Sequence, residues 1–326
     1  VEATESRRTL LIDTDTASDD AVALIMALRS PLVTVAAITV VAGNVPVEQA
    51  TRNALCAVEL CGSEVPVYMG AAKPLRRELE AATWFHGMDG LGDCGYAPAQ
   101  RQHHAPHAVE AMVATVMANP GIEIITLGPL TNLALALERE PRIALNIGRC
   151  VIMGGAACTE GNVTPAAEFN IWVDPEAARA VFLSGLPVEM VGWELSRFDA
   201  VVNDAEIDAI CAIDTPVAKF AMGCNARARE AYFTQTGERG ISLPDPIAMA
   251  ILLEPALCTR SSEHFVEIET SSQLTRGMTV VDKLGVTADS RNASVWREVR
   301  ERQKPVKVCW ELDVVGWKRL LRESLR

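Results

Sequence analysis

Positive charge is scarce in this chain. Lys and Arg number 30 against 42 Asp and Glu, a formal net charge of -12. A nucleic-acid groove needs a basic face to neutralise phosphates, so the balance argues against that class of partner. CxxC spacing is missing as well. The cysteines Cys56, Cys61, Cys94, Cys150, Cys158, Cys211, Cys224, Cys258 and Cys309 form no such pair, which removes zinc ribbons and thioredoxin-like redox motifs. Their odd number and apolar settings fit buried, reduced thiols better than a disulfide framework. No stretch reaches the roughly 18 uninterrupted apolar residues of a membrane span. The best, Ala21 to Val41, is broken by Arg29, Ser30 and Pro31. The opening VEATESRRTLLID carries no apolar core of signal-peptide length. Repeats, low-complexity tracts and linkers are missing too. The expectation is a cytoplasmic protein without membrane partner, folded as one domain over residues 1–326.

What is present is a large apolar fraction, 49% against 22% charged, ordinary for a globular protein with a substantial core. Thr9 to Asp15 is an apolar run ending in acids, a buried strand reaching the edge of its sheet. Ser18 is a candidate N-cap for a helix through AVALIMAL that ends before Pro31. Val33 to Val41 is a second buried strand, followed by a helix from about Pro46 to Cys61 and a strand near Val65 to Tyr68. The glycine- and aspartate-rich Gly87 to Gly95 reads as a loop. Further strands fall at Glu123–Leu127, Arg149–Met153 and Val188–Val191. Helices fall at His107–Ala118, Leu130–Leu137, Pro175–Ser184, Asp204–Gly223, Asn225–Tyr232 and Pro246–Glu254. From Ser262 to Val315 the pattern reads as β-rich decoration, closed by a helix at Val315–Leu325. Strand–helix alternation predicts an α/β fold: an open, mostly parallel, mixed Rossmann-like sheet flanked by helices. Ligands bind such sheets beyond the carboxyl ends of the strands. Asp13/Asp15, Asn44 and the segments after Leu127 and Met153 all fall there.

Asp13, Asp15, Asp19 and Asp20 place four carboxylates within eight residues. Two can be helix-start acids and two solvated turn residues. At a strand-to-helix corner following LLI, however, packed like charges raise one another's pKa unless something positive intervenes. A divalent cation is the economical solution, and a hard-oxygen site suits calcium, or magnesium, more than zinc. Such a cation acidifies water, and a free carboxylate can act as general base. The same residues also read as DxDx[TV] of haloacid-dehalogenase-type phosphatases with Asp13 as nucleophile. Ala17 stands at the fifth position, and those enzymes have no need of Asp19 and Asp20.

LLIDTDTASDDAVAL resembles the opening of the inosine–uridine nucleoside hydrolase family, whose signature is close to DxDPGxDDA. Further matches follow in order: VVAGNV at 40–45, HGMDGLG at 86–92, TLGPLTNLALAL at 126–137, IMGGA at 152–156, EFNIWVDPEAA at 168–178, PDPIA at 244–248 and LTRGMTVVD at 274–282. The resemblance implies calcium-dependent hydrolysis of the N-glycosidic bond of ribonucleosides, giving ribose and free base. It also implies one Ca2+ per subunit and a homodimer or homotetramer. Asp15, Asp20 and Asp245, with the main-chain carbonyl of Leu127, would hold the ion, and Asp15 would take the proton from the attacking water. Asp19 and Asn170 would grip the ribose 2′ and 3′ hydroxyls, Asn162 and Glu168 the 5′ hydroxyl, and Asn44 would sit near the ring. Read without the family, Asn162, Glu168 and Asn170 are ordinary loop polar residues and Asp245 a helix cap.

Two departures matter. Thr16-Ala17 replaces the Pro-Gly of the signature, and Pro244 stands where many relatives carry a histidine that protonates the leaving base. Proline can neither donate a proton nor stack well. His86, Trp84 and Tyr232 are the remaining candidates at the base, with Trp193 and Glu194 nearby. An indole face at Trp84 tilts the expectation slightly towards purine nucleosides, although Trp84-Phe85 can equally anchor the loop to the core. A nucleoside- or ribose-binding protein without turnover is the alternative of another class. Retention of Asp15 argues against it.

Overall fold

Apolar, β-branched runs supply the centre of the molecule. In the computed structural model, which describes residues 7–326, the run RTLLIDT forms β1 (Arg8–Thr14), and VTVAAITV forms β2 (Val33–Val40). The sheet continues with β3 (Val67–Met69), β4 (Ile122–Thr126), β5 (Ile147–Met153) and β6 (Val188–Val191). After a long helical stretch come β7 (Cys258–His264), β8 (Val266–Ile268), β9 (Thr279–Val281) and β10 (Val306–Leu312). Eight strands form one sheet in the order β3-β2-β1-β4-β5-β6-β10-β7, parallel except for the antiparallel β10–β7 pair. The expected mixed, mostly parallel sheet is therefore present.

Each face of the sheet is covered by helices. Ser18–Arg29, Val47–Leu60, Pro244–Leu253 and Val314–Ser324 pack one side, Ala108–Ala118, Thr131–Arg139 and Pro175–Phe182 the other. The helix Pro244–Leu253 is apolar all round because it is buried from Asp245 to Leu253. It leans on the first helix, so a carboxylate at its N-terminus arrives beside those at the start of Ser18–Arg29. The strand order reverses at β1: β2 and β3 lie on one side, β4 to β6 on the other. The crevice between the carboxyl ends of β1 and β4 is thus the switch point where doubly wound sheets take ligands.

Three local expectations change. The tail is not mere decoration, because β10 inserts beside β6 and β7 pairs with it, leaving only β8–β9 as a separate ribbon. Within that β-rich stretch VKVCWEL is a strand of the main sheet, with Val306, Val308 and Cys309 fully buried. The helix at 204–223 divides into Asp204–Cys211 and Pro216–Gly223, since Thr215 caps a new helix and Pro216 starts it. Ser18 is the first helical residue rather than the cap. Ala17 occupies the cap position, and the Asp20 carboxylate accepts its N–H at 3.0 Å. All nine cysteines are free. Cys150, Cys224 and Cys309 are buried as expected, whereas Cys94, Cys158 and Cys211 are exposed. No helix among the described residues is long and apolar enough to cross a membrane. The segment VEATES lies outside the described residues.

Candidate active site

The corner after β1 sorts its aspartates into different environments. Asp13 turns into the scaffold: its Oδ1 accepts from Asn132 Nδ2 (2.8 Å) and Thr39 Oγ1 (2.6 Å). Asn132, read from sequence as structural, also donates to the Val40 carbonyl and accepts the Ala71 N–H. Burial pushes Asp13 up to about 7. Asp13 is held by Thr39 and Asn132 of the scaffold and stands outside the group formed by the other aspartates, a poor position for a phosphatase nucleophile.

Asp15 accepts the Asn44 N–H on Oδ2 at 2.7 Å, and its Oδ1 is buried without a partner. Main chain crowds this carboxylate. A Cβ at Gly43 would lie 2.1 Å from Asp15 Oδ2, and one at Gly128 would lie 2.7 Å from Oδ1, so both loops require glycine. Asp20 accepts Thr14 Oγ1 (2.6 Å) and the long Asn44 Nδ2 contact (3.4 Å). Asp19, Asp20 and Asp245 form the tightest group, each offering an oxygen within 4.8 Å of the others, and Asp15 adjoins Asp20.

Burial, then mutual repulsion, drives these groups upward: Asp19 to about 7, and Asp15 and Asp245 well above the usual range. Asp20 is also raised, by burial, against hydrogen bonds that lower it. Among the described residues, the only basic side chain within ion-pair reach is His86, whose Nδ1 is 3.9 Å from Asp19 Oδ1. Burial lowers its pKa to about 3, so it is neutral. Carboxylates packed this way without a countercharge, with Asp15 Oδ1 and Asp19 Oδ1 orphaned, have the donor set of a hard divalent cation. Chemistry and burial both fit such an ion. The Leu127 carbonyl reaches the same cleft, where Asn170 Nδ2 now donates to it at 2.8 Å.

Asp19 and Asp245 line the floor of a cleft of about 700 Å³, counting its open mouth. Its wall brings together the expected Asn44, Trp84, His86, Asn162, Glu168, Asn170 and Tyr232. Glu168 caps the short helix Phe169–Val173, accepting the N–H groups of Asn170 (2.8 Å), Ile171 (3.3 Å) and Gly155 (2.8 Å). Burial pushes it up to about 7 despite those bonds. Asn162 Oδ1 accepts the Phe169 N–H at 2.9 Å, tying that loop to the same turn. His86 Nδ1 is 2.8 Å from Ser18 Oγ, which anchors its loop to the first helix. Trp84 is 54% exposed at the rim, too open to be a core anchor. Trp193 lines the wall, while Glu194 turns aside to the Ala157 N–H. Met153, Val163, Phe169, Ser196, Gln235 and Ser242 also line the cleft, and sequence reasoning did not single them out. Met153 ends β5 and was one residue from the segment flagged by the strand-end rule; the others lacked a signal of their own.

The raised carboxyl groups give stability a definite slope. A carboxyl with a higher pKa in the folded chain contributes fully below its unfolded value, about 4. That contribution is lost as pH rises through the folded value, about 7 for Asp19 and Glu168. Metal-free protein should therefore lose thermal stability between about pH 5 and about pH 8. Calcium, which competes with protons here, should raise Tm more at the upper pH, by the equivalent of about 2.7 kcal/mol at one hundred times its Kd. Thermal scans with and without chelator check this; an equal calcium effect at both pH values would contradict it.

Buried carboxylates with the donor set of a hard cation, below a cleft lined by acids and amides at the switch point of a doubly wound α/β sheet, make a candidate hydrolytic site. The family described as inosine-uridine preferring nucleoside hydrolase matches residues 10–316, and the chain belongs to that family: it is a nucleoside hydrolase, an N-ribosyl hydrolase acting on ribonucleosides. It is 42% identical over 295 residues to a pyrimidine-specific ribonucleoside hydrolase, RihA, of Shewanella sp. (strain ANA-3), covering 88% of this chain and 91% of that one. Among solved structures it is similar to the plant nucleoside hydrolase PpNRh1 (TM-score 0.88, 32% identity, 98% of each chain). It is likewise similar to a purine-preferring ribonucleoside hydrolase from Gardnerella vaginalis (TM-score 0.87, 30% identity, 98% of each chain). The family and fold expected from the motifs are those found.

Proposed function

We propose that this nucleoside hydrolase holds one Ca2+ per subunit and favours pyrimidine ribonucleosides. The observation that carries the metal reading is the buried group of Asp15, Asp19, Asp20 and Asp245 without a cationic partner. Asp15, Asp20, Asp245 and the Leu127 carbonyl would hold the ion, which supplies Lewis acidity for water and a countercharge for the carboxylates. Asp15 takes the proton from the attacking water. Asp19 and Asn170 hold the 2′ and 3′ hydroxyls, Glu168 and Asn162 the 5′ hydroxyl, and Asn44 lies beside the ring. As the base departs, positive charge grows on the ribosyl carbon, and the surrounding carboxylates stabilise it. His86, neutral through burial, offers a ring N–H to the base rather than a charge.

The leaning towards purines rested on Trp84. A rim indole stacks on either ring system, because every base has a π-face. The similarity to pyrimidine-specific enzymes therefore carries more weight. Release of reducing sugar from uridine, cytidine, inosine, adenosine and guanosine, with and without chelator, tests both points. Expected is a kcat/KM about tenfold or more higher for pyrimidines, abolished by chelation and restored by calcium. Faster purine turnover would restore the Trp84 argument, and chelator-resistant turnover would remove the metal.

A further inference from the structure

Tyr232 lines the cleft, but its hydroxyl points elsewhere. It donates to Glu238 Oε2, and Glu238 is not among the lining residues. Glu238 collects more. Its Oε1 accepts Arg197 Nε (3.1 Å) and Nη2 (2.6 Å), and its Oε2 accepts the Phe198 N–H (3.1 Å). That last bond holds Phe198 at φ 54, a left-handed conformation a phenylalanine adopts only under constraint.

Arg197 is the other half of the hub. Its side chain is 13% exposed, and its Nη1 donates to Glu160 Oε1. Its guanidinium lies 4.9 Å from the Trp193 ring centroid and 4.6 Å from that of Phe198. The Glu160 carbonyl accepts the Trp193 indole N–H at 2.8 Å. Gln235 donates to the Asn162 carbonyl. Three chain-distant segments meet here: the loop at 160–162, the turns at 193–200 and the helix Ala226–Thr236 with Glu238 behind it. Each sends side chains to the cleft, yet Arg197 and Glu238 themselves do not reach it.

We infer that Arg197 and Glu238 form a clasp that positions the base end of the cleft and withholds the Tyr232 hydroxyl, so that Tyr232 meets the base with its ring and gives it no proton. This rests on the nucleoside reading of the site and refines it. A planar, forked cation is needed because two carboxylates and an aromatic face are engaged at once, a task an ammonium does in part. With Pro244 also unable to donate, leaving-group protonation from this wall is absent, and the wall acts through shape and stacking.

The test uses Tyr232→Phe, Arg197→Gln and Arg197→Lys in the full chain. Steady-state kinetics on uridine are combined with calorimetric titration by free ribose and free uracil. Tyr232→Phe should leave the alkaline limb of the pH–rate profile where it lies in the wild type, whatever it does to KM, because the lost hydroxyl is bonded to Glu238 and Arg197, which do not line the cleft. Arg197→Gln should raise KM about tenfold or more with a smaller change in kcat, and weaken uracil binding while ribose binding is unchanged. Arg197→Lys should recover part of that loss. Loss or displacement of that limb in Tyr232→Phe would make its hydroxyl the acid and overturn the proposal. Equal weakening of ribose and uracil, or unchanged uracil binding, in Arg197→Gln would also overturn it. The titrations need no turnover, so an inactive wild type would refute the assignment under Proposed function and leave this test standing.

Discussion

Asp15→Asn is expected to lower kcat by about 10²–10⁴-fold, the usual worth of a positioned general base. Asparagine is nearly isosteric with aspartate, and its carbonyl oxygen can still accept the Asn44 N–H that now bonds Asp15 Oδ2 at 2.7 Å. The cradle of Gly43 and Gly128 is left undisturbed, so the corner should keep its shape. What disappears is an oxygen that can take a proton, together with one negative charge. If the loss came only from weaker cation binding, saturating calcium would restore the rate. If Asp15 is the base, calcium rescues thermal stability but not kcat. Asp13→Asn is the control. Asp13 is bound to Thr39 and Asn132 through one oxygen, which asparagine reproduces. Its activity should therefore stay within a few fold of wild type. Comparable losses in the two variants would mean that the corner is merely fragile, and full activity in Asp15→Asn would remove it from the mechanism.

Why Asp13 and Asp15 differ was only half legible in the sequence. Their two-residue spacing puts both on one face of an ideal strand. β1, however, ends at Thr14, so Asp15 is already leaving the sheet and turns towards the Asn44 N–H and Asp20, while Asp13 stays in the strand. The mostly parallel character of the sheet and the place of the crevice followed from alternation and from polar residues at strand ends. These are properties of long apolar segments and survive errors of a residue or two at each boundary. The arrival of Asp245 could be argued only from the family motif, because nothing local says that PDP opens a helix packed against the first one. The tail was expected to be β-rich, but not that β10 would enter the main sheet between β6 and β7, because nothing in VKVCWEL names its partner strands. Least visible was the clasp at the base end. Arg197, Glu160 and Glu238 look like ordinary surface charges in sequence, and only the fold buries Arg197 between two acids and two rings.

Removing the 2′ hydroxyl from the substrate is expected to cost about 10⁴-fold in kcat/KM, by analogy with sites built to hydrogen-bond a hydroxyl. The argument runs through the groups left behind. Asp19 is nearly buried, and its Oδ1 has no protein partner. Asn170 donates to the Leu127 and Met153 carbonyls, which leaves its own Oδ1 as the atom free for a sugar hydroxyl. A bound 2′-deoxyriboside would seal such groups from water without satisfying them, and an unpaired buried polar group costs about 1–3 kcal/mol, more when charged. The deoxy sugar forms a ribosyl cation more readily than ribose, so intrinsic reactivity works against the expected loss, and any discrimination measured belongs to the site. A 5′-deoxyriboside should lose less. Glu168 already receives three backbone N–H groups and Asn162 one, so neither is left empty when the 5′ hydroxyl is missing. Competition between uridine, 2′-deoxyuridine and 5′-deoxyuridine at saturating calcium gives the ratios directly. Equal turnover of the 2′-deoxy compound would move Asp19 and Asn170 away from the sugar, and a 5′-deoxy penalty larger than the 2′ penalty would place the tighter grip at Glu168 and Asn162.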